Sequence, residues 1–124
     1  QGKNISYKGK KYKNKSLTYV EKGKKISIVM DTGMNKKIVA FVRNSDLLIC
    51  ESSFDSNLKE KAKEYFHLTA TQTGEIAKKS KSKELILTHI SQRHEKNFKK
   101  ILSEAKREFK NVSIVKDLDE VELK

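Results

Sequence analysis

The sequence predicts an α/β layer, with strands and helices alternating along the chain. Three observations predict it. Short continuous apolar runs are separated by segments whose apolar residues recur at helical spacing, Thr69 and Gln72 form a capping-box pattern, and the chain has no proline and only five glycines. The 124 residues suffice for one domain or a piece of a larger one, divided by character into a lead-in over 1–24 and an alternating region over 25–124. Residues 1–25 hold nine lysines against one acid, Glu21. Within that stretch, residues 6–8 and 17–20, set off by lysines, Gly9 and Asn14, read as short polar strands and turns, a basic hairpin-like lead-in.

From Lys25 the alternation is regular. Ile26, Ile28 and Met30 make a strand, Asp31-Thr32-Gly33 breaks it, and Ile38, Phe41 and Val42 follow as on a helix. Leu47-Leu48-Ile49-Cys50 suits a strand covered on both faces, and Leu58, Ala62 and Phe66 space as the next helix. Thr69 opens a further helix through Ser80, ahead of the buried strand Leu85-Ile86-Leu87. The clearest helix runs over 95–109, with Phe98, Ile101, Leu102, Ala105 and Phe109 on one face, before strands at 112–115 and 120–123.

Lys and Arg total 28 against 16 Asp and Glu, a net charge of +12, so polyanions such as RNA are suitable partners. The lysine-rich lead-in reads either as a solvated hairpin edge or as an electrostatic track for a phosphate backbone, and lysine abundance also suits a thermophile or an A+T-rich genome. A single cysteine, Cys50, excludes an internal disulfide, and no run approaches the roughly 20 apolar residues of a membrane helix. The chain reads as soluble and intracellular, and Gln1, not being an initiator methionine, reads as a cut end.

Ligands of open α/β sheets collect beyond the carboxyl ends of the strands. Three strands end there in reactive groups: Asp31 after Met30, Glu51 after Cys50, and His89 after Thr88; His67 precedes the capped helix. Taken alone, Asp31 also suits an Asx turn, Glu51 a lysine pair and His89 a hydrogen-bonded core histidine.

The wording and order of these segments carry more. Ile28-Val29-Met30-Asp31-Thr32, Asp46-Leu47-Leu48-Ile49-Cys50-Glu51-Ser52-Ser53-Phe54, Tyr65-Phe66-His67-Leu68-Thr69 and Leu85-Ile86-Leu87-Thr88-His89-Ile90-Ser91-Gln92-Arg93 together resemble the C-terminal half of ribonuclease Z, the tRNA 3′-processing endoribonuclease of the metallo-β-lactamase superfamily. The resemblance runs from about Lys24 to the end. It implies an α/β fold that is the C-terminal half of an αβ/βα metallo-β-lactamase sandwich.

The same resemblance implies residue roles. Asp31 matches an aspartate bridging two zinc ions and His89 a histidine ligand of one of them; paired zinc lowers the pKa of bound water towards about 7 and clamps a phosphodiester. His67 matches a histidine of the proton step at the leaving 3′-oxygen. Glu51 matches the glutamate of a His-Glu-Ala-Thr segment, here Cys50-Glu51-Ser52-Ser53, and is expected to orient a catalytic histidine. Arg93 looks like a phosphate-contacting arginine, with a surface ion pair to Glu95 as the alternative. His94 stands where the family often has tyrosine and reads as a surface residue at a helix start.

The family's His-x-His-x-Asp-His loop is absent from these residues. A catalytic zinc takes about three protein ligands, so Asp31 and His89 alone are expected to bind it weakly or not at all, and the piece alone to be inert. The implied whole is a cytoplasmic, homodimeric endonuclease acting on precursor tRNA, completed by a missing N-terminal half, with no membrane association. Two rivals remain: another phosphodiesterase or hydrolase of the same superfamily, and a non-catalytic RNA-binding module built on the basic lead-in.

Overall fold

In a computed structural model that describes residues 2–123, the alternation of apolar runs becomes one parallel sheet with helices packed on it. Gln1, read above as a cut end, and Lys124 lie outside the described residues. The sheet has four parallel strands in sequential order: β3 (Ile26–Val29), β4 (Leu47–Glu51), β5 (Leu85–Thr88) and β6 (Val112–Ile114). Ahead of them β1 (Ile5–Tyr7) and β2 (Lys10–Tyr12) pair antiparallel as a separate ribbon, followed by the single turn α1 (Asn14–Leu17). Helices α2 (Lys36–Phe41), α3 (Lys59–Glu64), α4 (Ala70–Ser80) and α5 (Phe98–Glu108) fill the connections.

Register decides which side chains meet the helices. Val29 pairs with Cys50, Cys50 with Leu87 and Leu87 with Ile114, so these four stand in one row. With Leu48, Leu85 and Val112 they face Ile38, Val42, Ile76, Ala77, Ile101 and Ala105 across the core. Fully burying an aliphatic side chain such as Leu48 or Ile76 stabilises by roughly 1.5–3 kcal/mol, and this layer is where the fold draws most of its stability. Burial pushes the Cys50 thiol up to about 12, so it is a packing group here.

Helix α4 begins where the sequence marks it: the Thr69 hydroxyl accepts from Gln72 N–H and the Gln72 side chain accepts from Thr69 N–H at 2.9 Å. It lies close against α5 because residue 74 is glycine; a Cβ there would stand 2.8 Å from the Ala105 carbonyl oxygen.

Several expectations are corrected. Residues 18–20 form no strand, since α1 takes residues 14–17 and Tyr19 and Val20 are left exposed; residues 120–123 form none either. The strand at 26–29 exists, but Ile26 and Ile28 point outward while Ser27 and Val29 are buried, because alternation marks two faces without saying which one the helices cover. Phe41 and Phe66, expected on inward helix faces, are 66% and 74% exposed; α2 ends at Phe41 and α3 ends before Phe66.

Candidate metal centre

The carboxyl ends of β3, β4 and β5 lie side by side, so the residues that follow them converge. Asp31 and His89, from strands on either side of β4, meet at 2.9 Å between Oδ1 and Nε2. Both take positive φ, 46° for Asp31 and 52° for His89, a region that short polar residues and histidine tolerate better than most. Phe66, just before His67, has φ 58°, which is strained for a bulky residue. Three such residues around one cluster mark a place where the surrounding structure holds the backbone against its preference. Gly33 belongs to the same arrangement: a Cβ on it would come within 3.3 Å of Phe66 Cα, so the turn after β3 seats directly on the loop that carries His67.

Between Asp31 and His89, at the end of β4, Glu51 is fully buried. Its carboxylate accepts from Thr32 N–H at 2.6 Å, Leu68 N–H at 3.1 Å, the Ser53 hydroxyl at 3.0 Å and the ring of His67 at 2.9 Å from Nδ1. An ionised carboxylate only accepts, so this contact selects the His67 tautomer protonated on Nδ1 and leaves Nε2 free for other chemistry. No lysine among the described residues pairs with Glu51; backbone N–H groups and an imidazole take that place.

The His67 and His89 rings lie 5.4 Å apart between centroids. One ligand atom each from Asp31, His67 and His89 falls within 4.8 Å of the other two. The Asp31 carboxylate and the His89 imidazole are borderline donors suited to zinc or a similar divalent ion, so they fit such a metal, with the His67 ring standing beside them. Arg93 sits beside this cluster, its guanidinium carbon 5.5 Å from the centre of the Phe54 ring, and Phe54 in turn lies 6.0 Å from the His67 ring. Among the described residues Arg93 has no ion pair, to Glu95 or any other acid, and its Nε donates to the Ser91 hydroxyl at 3.3 Å. A cavity of about 290 Å³ opens here, lined by Ser53, Phe54, His67, His89 and Gln92 among others.

Asp31, Glu51, His67, His89 and Arg93 are thus gathered at one end of the sheet. His94 stands apart and is corrected: it is buried, with Nδ1 3.9 Å from the Asp55 carboxylate. The 3₁₀ turn Gln92–His94 folds it inward ahead of α5, whereas a helix starting at residue 95 would have left it outside.

Sequence reasoning also missed the hydroxyls that lock the cluster. The Ser53 hydroxyl bridges the Glu51 carboxylate and the His89 carbonyl, 2.9 Å from the latter, and Thr73 Oγ1 donates to the Glu51 carbonyl at 2.7 Å. Thr73 carried a readable signal: a hydroxyl on the inward face of an otherwise apolar helix needs a partner.

No family model matches the chain. Ribonuclease Z of Enterococcus faecalis is 37% identical over 125 residues, covering 99% of this chain and 40% of that protein. Ribonuclease Z of Archaeoglobus fulgidus is 36% identical, again over 99% of this chain and 40% of its own length. Among solved structures, a metallo-β-lactamase fold protein of Bacillus subtilis has a TM-score of 0.67 at 29% identity, covering 73% of this chain and 36% of that one. The short form of human tRNase Z has a TM-score of 0.64 at 27% identity, covering 92% of this chain and 37% of that one. The fold is therefore part of a metallo-β-lactamase fold, and the chain spans 40% of the length of the curated relatives it matches.

Proposed function

We propose that this ribonuclease Z-like chain is one part of a zinc-dependent endoribonuclease that removes 3′ trailers from precursor tRNA and leaves a 3′-hydroxyl. The observation that carries the reading is the meeting of Asp31 and His89 at 2.9 Å, with His67 held beside them by a buried carboxylate. Asp31 and His89 would hold the metal. When bound, zinc supplies a lowered pKa to coordinated water and offsets charge on the phosphodiester.

The rest of the chemistry falls to side chains of this chain. Glu51 fixes the His67 ring and its tautomer, so that His67 Nε2 can hold a proton and give it up at the leaving 3′-oxygen. Arg93, resting on Phe54, grips phosphate oxygens with its paired N–H groups. Ser53 couples the two halves of the site, because one hydroxyl touches both the Glu51 carboxylate and the His89 backbone.

The remaining metal ligands come from the part of the relatives' length that this chain does not span, so the chain by itself is inert. The same reading makes the whole protein a cytoplasmic homodimer. The test is a chimera in which this chain replaces the matching segment of the Enterococcus faecalis enzyme, given precursor tRNA and zinc. The chimera is expected to release the trailer, and Asp31→Ala or His89→Ala within it to abolish release. Cleavage by this chain alone would contradict the reading. Metal-dependent hydrolysis of any phosphodiester without preference for tRNA would favour a general phosphodiesterase.

A further inference from the structure

The ribbon ahead of the sheet presents a surface that the proposed cleavage does not use. Ile5 opposes Tyr12 and Tyr7 opposes Lys10, so these four side chains share one face of β1 and β2. Tyr7 is 62% exposed, and Lys8 Nζ lies 5.5 Å from the centre of its ring. On the ribbon and next to it Lys3, Lys8, Lys10, Lys11, Lys13 and Lys15 are all exposed, Lys10 on the Tyr7 face and Lys11 on the other, and no ion pair engages any of the six among the described residues. Unpaired like charges within one Debye length, about 8–10 Å, repel one another, and a polyanion relieves that repulsion.

The tyrosine narrows the choice of polyanion. A duplex offers phosphates to lysines but keeps its base faces stacked on one another. An unpaired strand offers both phosphates and free base faces, and an exposed ring flanked by cations meets both needs. We propose that the β1–β2 ribbon is a platform for single-stranded RNA, with Tyr7 stacking on a base and Lys8 and Lys10 contacting phosphates. The proposal rests on RNA being the substrate, but it concerns residues that the metal cluster does not include: the ribbon lies within residues 5–12, whereas Asp31 follows β3. The strand it would hold is the unpaired part of the substrate.

The test is fluorescence anisotropy of a labelled uridine-rich RNA strand, and of the same strand paired with its complement, titrated with the full 124-residue chain in EDTA over a series of KCl concentrations. The single strand is expected to bind more tightly than the duplex. Tyr7→Ala is expected to weaken single-strand binding about tenfold. Replacing Lys8 and Lys10 together by Gln should reduce the slope of log affinity against log salt by about 1.4, or about 0.7 per lost phosphate contact. All these residues lie outside the core, so circular dichroism should not change. The proposal is overturned if the double variant keeps the parent slope, or if the duplex binds at least as tightly and Tyr7→Ala changes nothing. EDTA separates the two readings: loss of this binding counts against the ribbon, whereas a chimera that binds RNA but fails to cleave counts against the metal site.

Discussion

Two polar clusters, one at the strand ends and one behind α5, are built from similar residues and end in opposite states. Behind α5, Asp55 is 6% exposed and accepts from Lys100 Nζ at 2.7 Å and Asn57 N–H at 2.9 Å, with His94 close by. Glu104, also buried, accepts from the Ser56 N–H and hydroxyl, both at 2.8 Å. That cluster contains its own cation. At the strand ends, Asp31 and His89 lie against each other with side chains 71% and 42% exposed, and no lysine or arginine among the described residues pairs with either. The difference teaches how to tell a brace from a site. A carboxylate–histidine group closed by a lysine of the same chain ties loops together, whereas Asp31 and His89 converge, stay exposed and lack such a lysine, the arrangement on which the proposed metal site rests.

Breaking the two clusters should rank their structural roles. Glu51→Ala has the largest expected effect, because it strands the Thr32 and Leu68 N–H groups and the His67 ring in a buried place. The expected loss is about 3 kcal/mol, read from urea unfolding. Asp31→Ala, at the open edge of the same cluster, should leave the unfolding midpoint nearly unchanged.

Asp55→Asn should cost less than Glu51→Ala, about 1–2 kcal/mol at neutral pH. Its pH dependence sharpens the contrast. Burial raises the Asp55 carboxyl, but the hydrogen bond and charge of Lys100, helped by Asn57 N–H, outweigh it and leave the group below the usual carboxylate range. A depressed folded-state value contributes stability that is present above the unfolded value of about 3.9 and lost as pH falls through the folded value. Parent and Asp55→Asn should therefore differ in urea midpoint at pH 7 and converge in acid below about pH 4. The smallest change belongs to Glu75→Gln, which removes only the surface pair with Lys79 at 3.0 Å. A loss of about 0.3–0.5 kcal/mol is expected by the same unfolding measurement.

Much of this was legible in the sequence, for reasons that can be named. The capped helix α4 was readable because Thr69 and Gln72 satisfy local N–H groups whatever the rest of the chain does. The strands β4 and β5 were readable because their continuous apolar runs admit few other uses. The strand-end groups Asp31, Glu51 and His89 followed from where such sheets collect ligands, His67 from its place before the capped helix, and the resemblance to ribonuclease Z added Arg93 and the roles. What stayed hidden depends on tertiary choice. No local pattern tells whether Ile28 or Val29 faces the helices, or that a 3₁₀ turn carries His94 inward to Asp55. The resemblance pointed to a histidine partner for Glu51, but the backbone N–H groups of Thr32 and Leu68 that also hold its carboxylate were unreadable.

The most direct test of the central claim is nitrogen-15 imidazole NMR of this chain during a zinc titration. The account predicts that His89 Nε2 responds first, weakly and reversibly, that His94 stays silent, and that Asp31→Ala removes the response. A response that Asp31→Ala leaves intact, or one in which His94 moves ahead of His89, would contradict it.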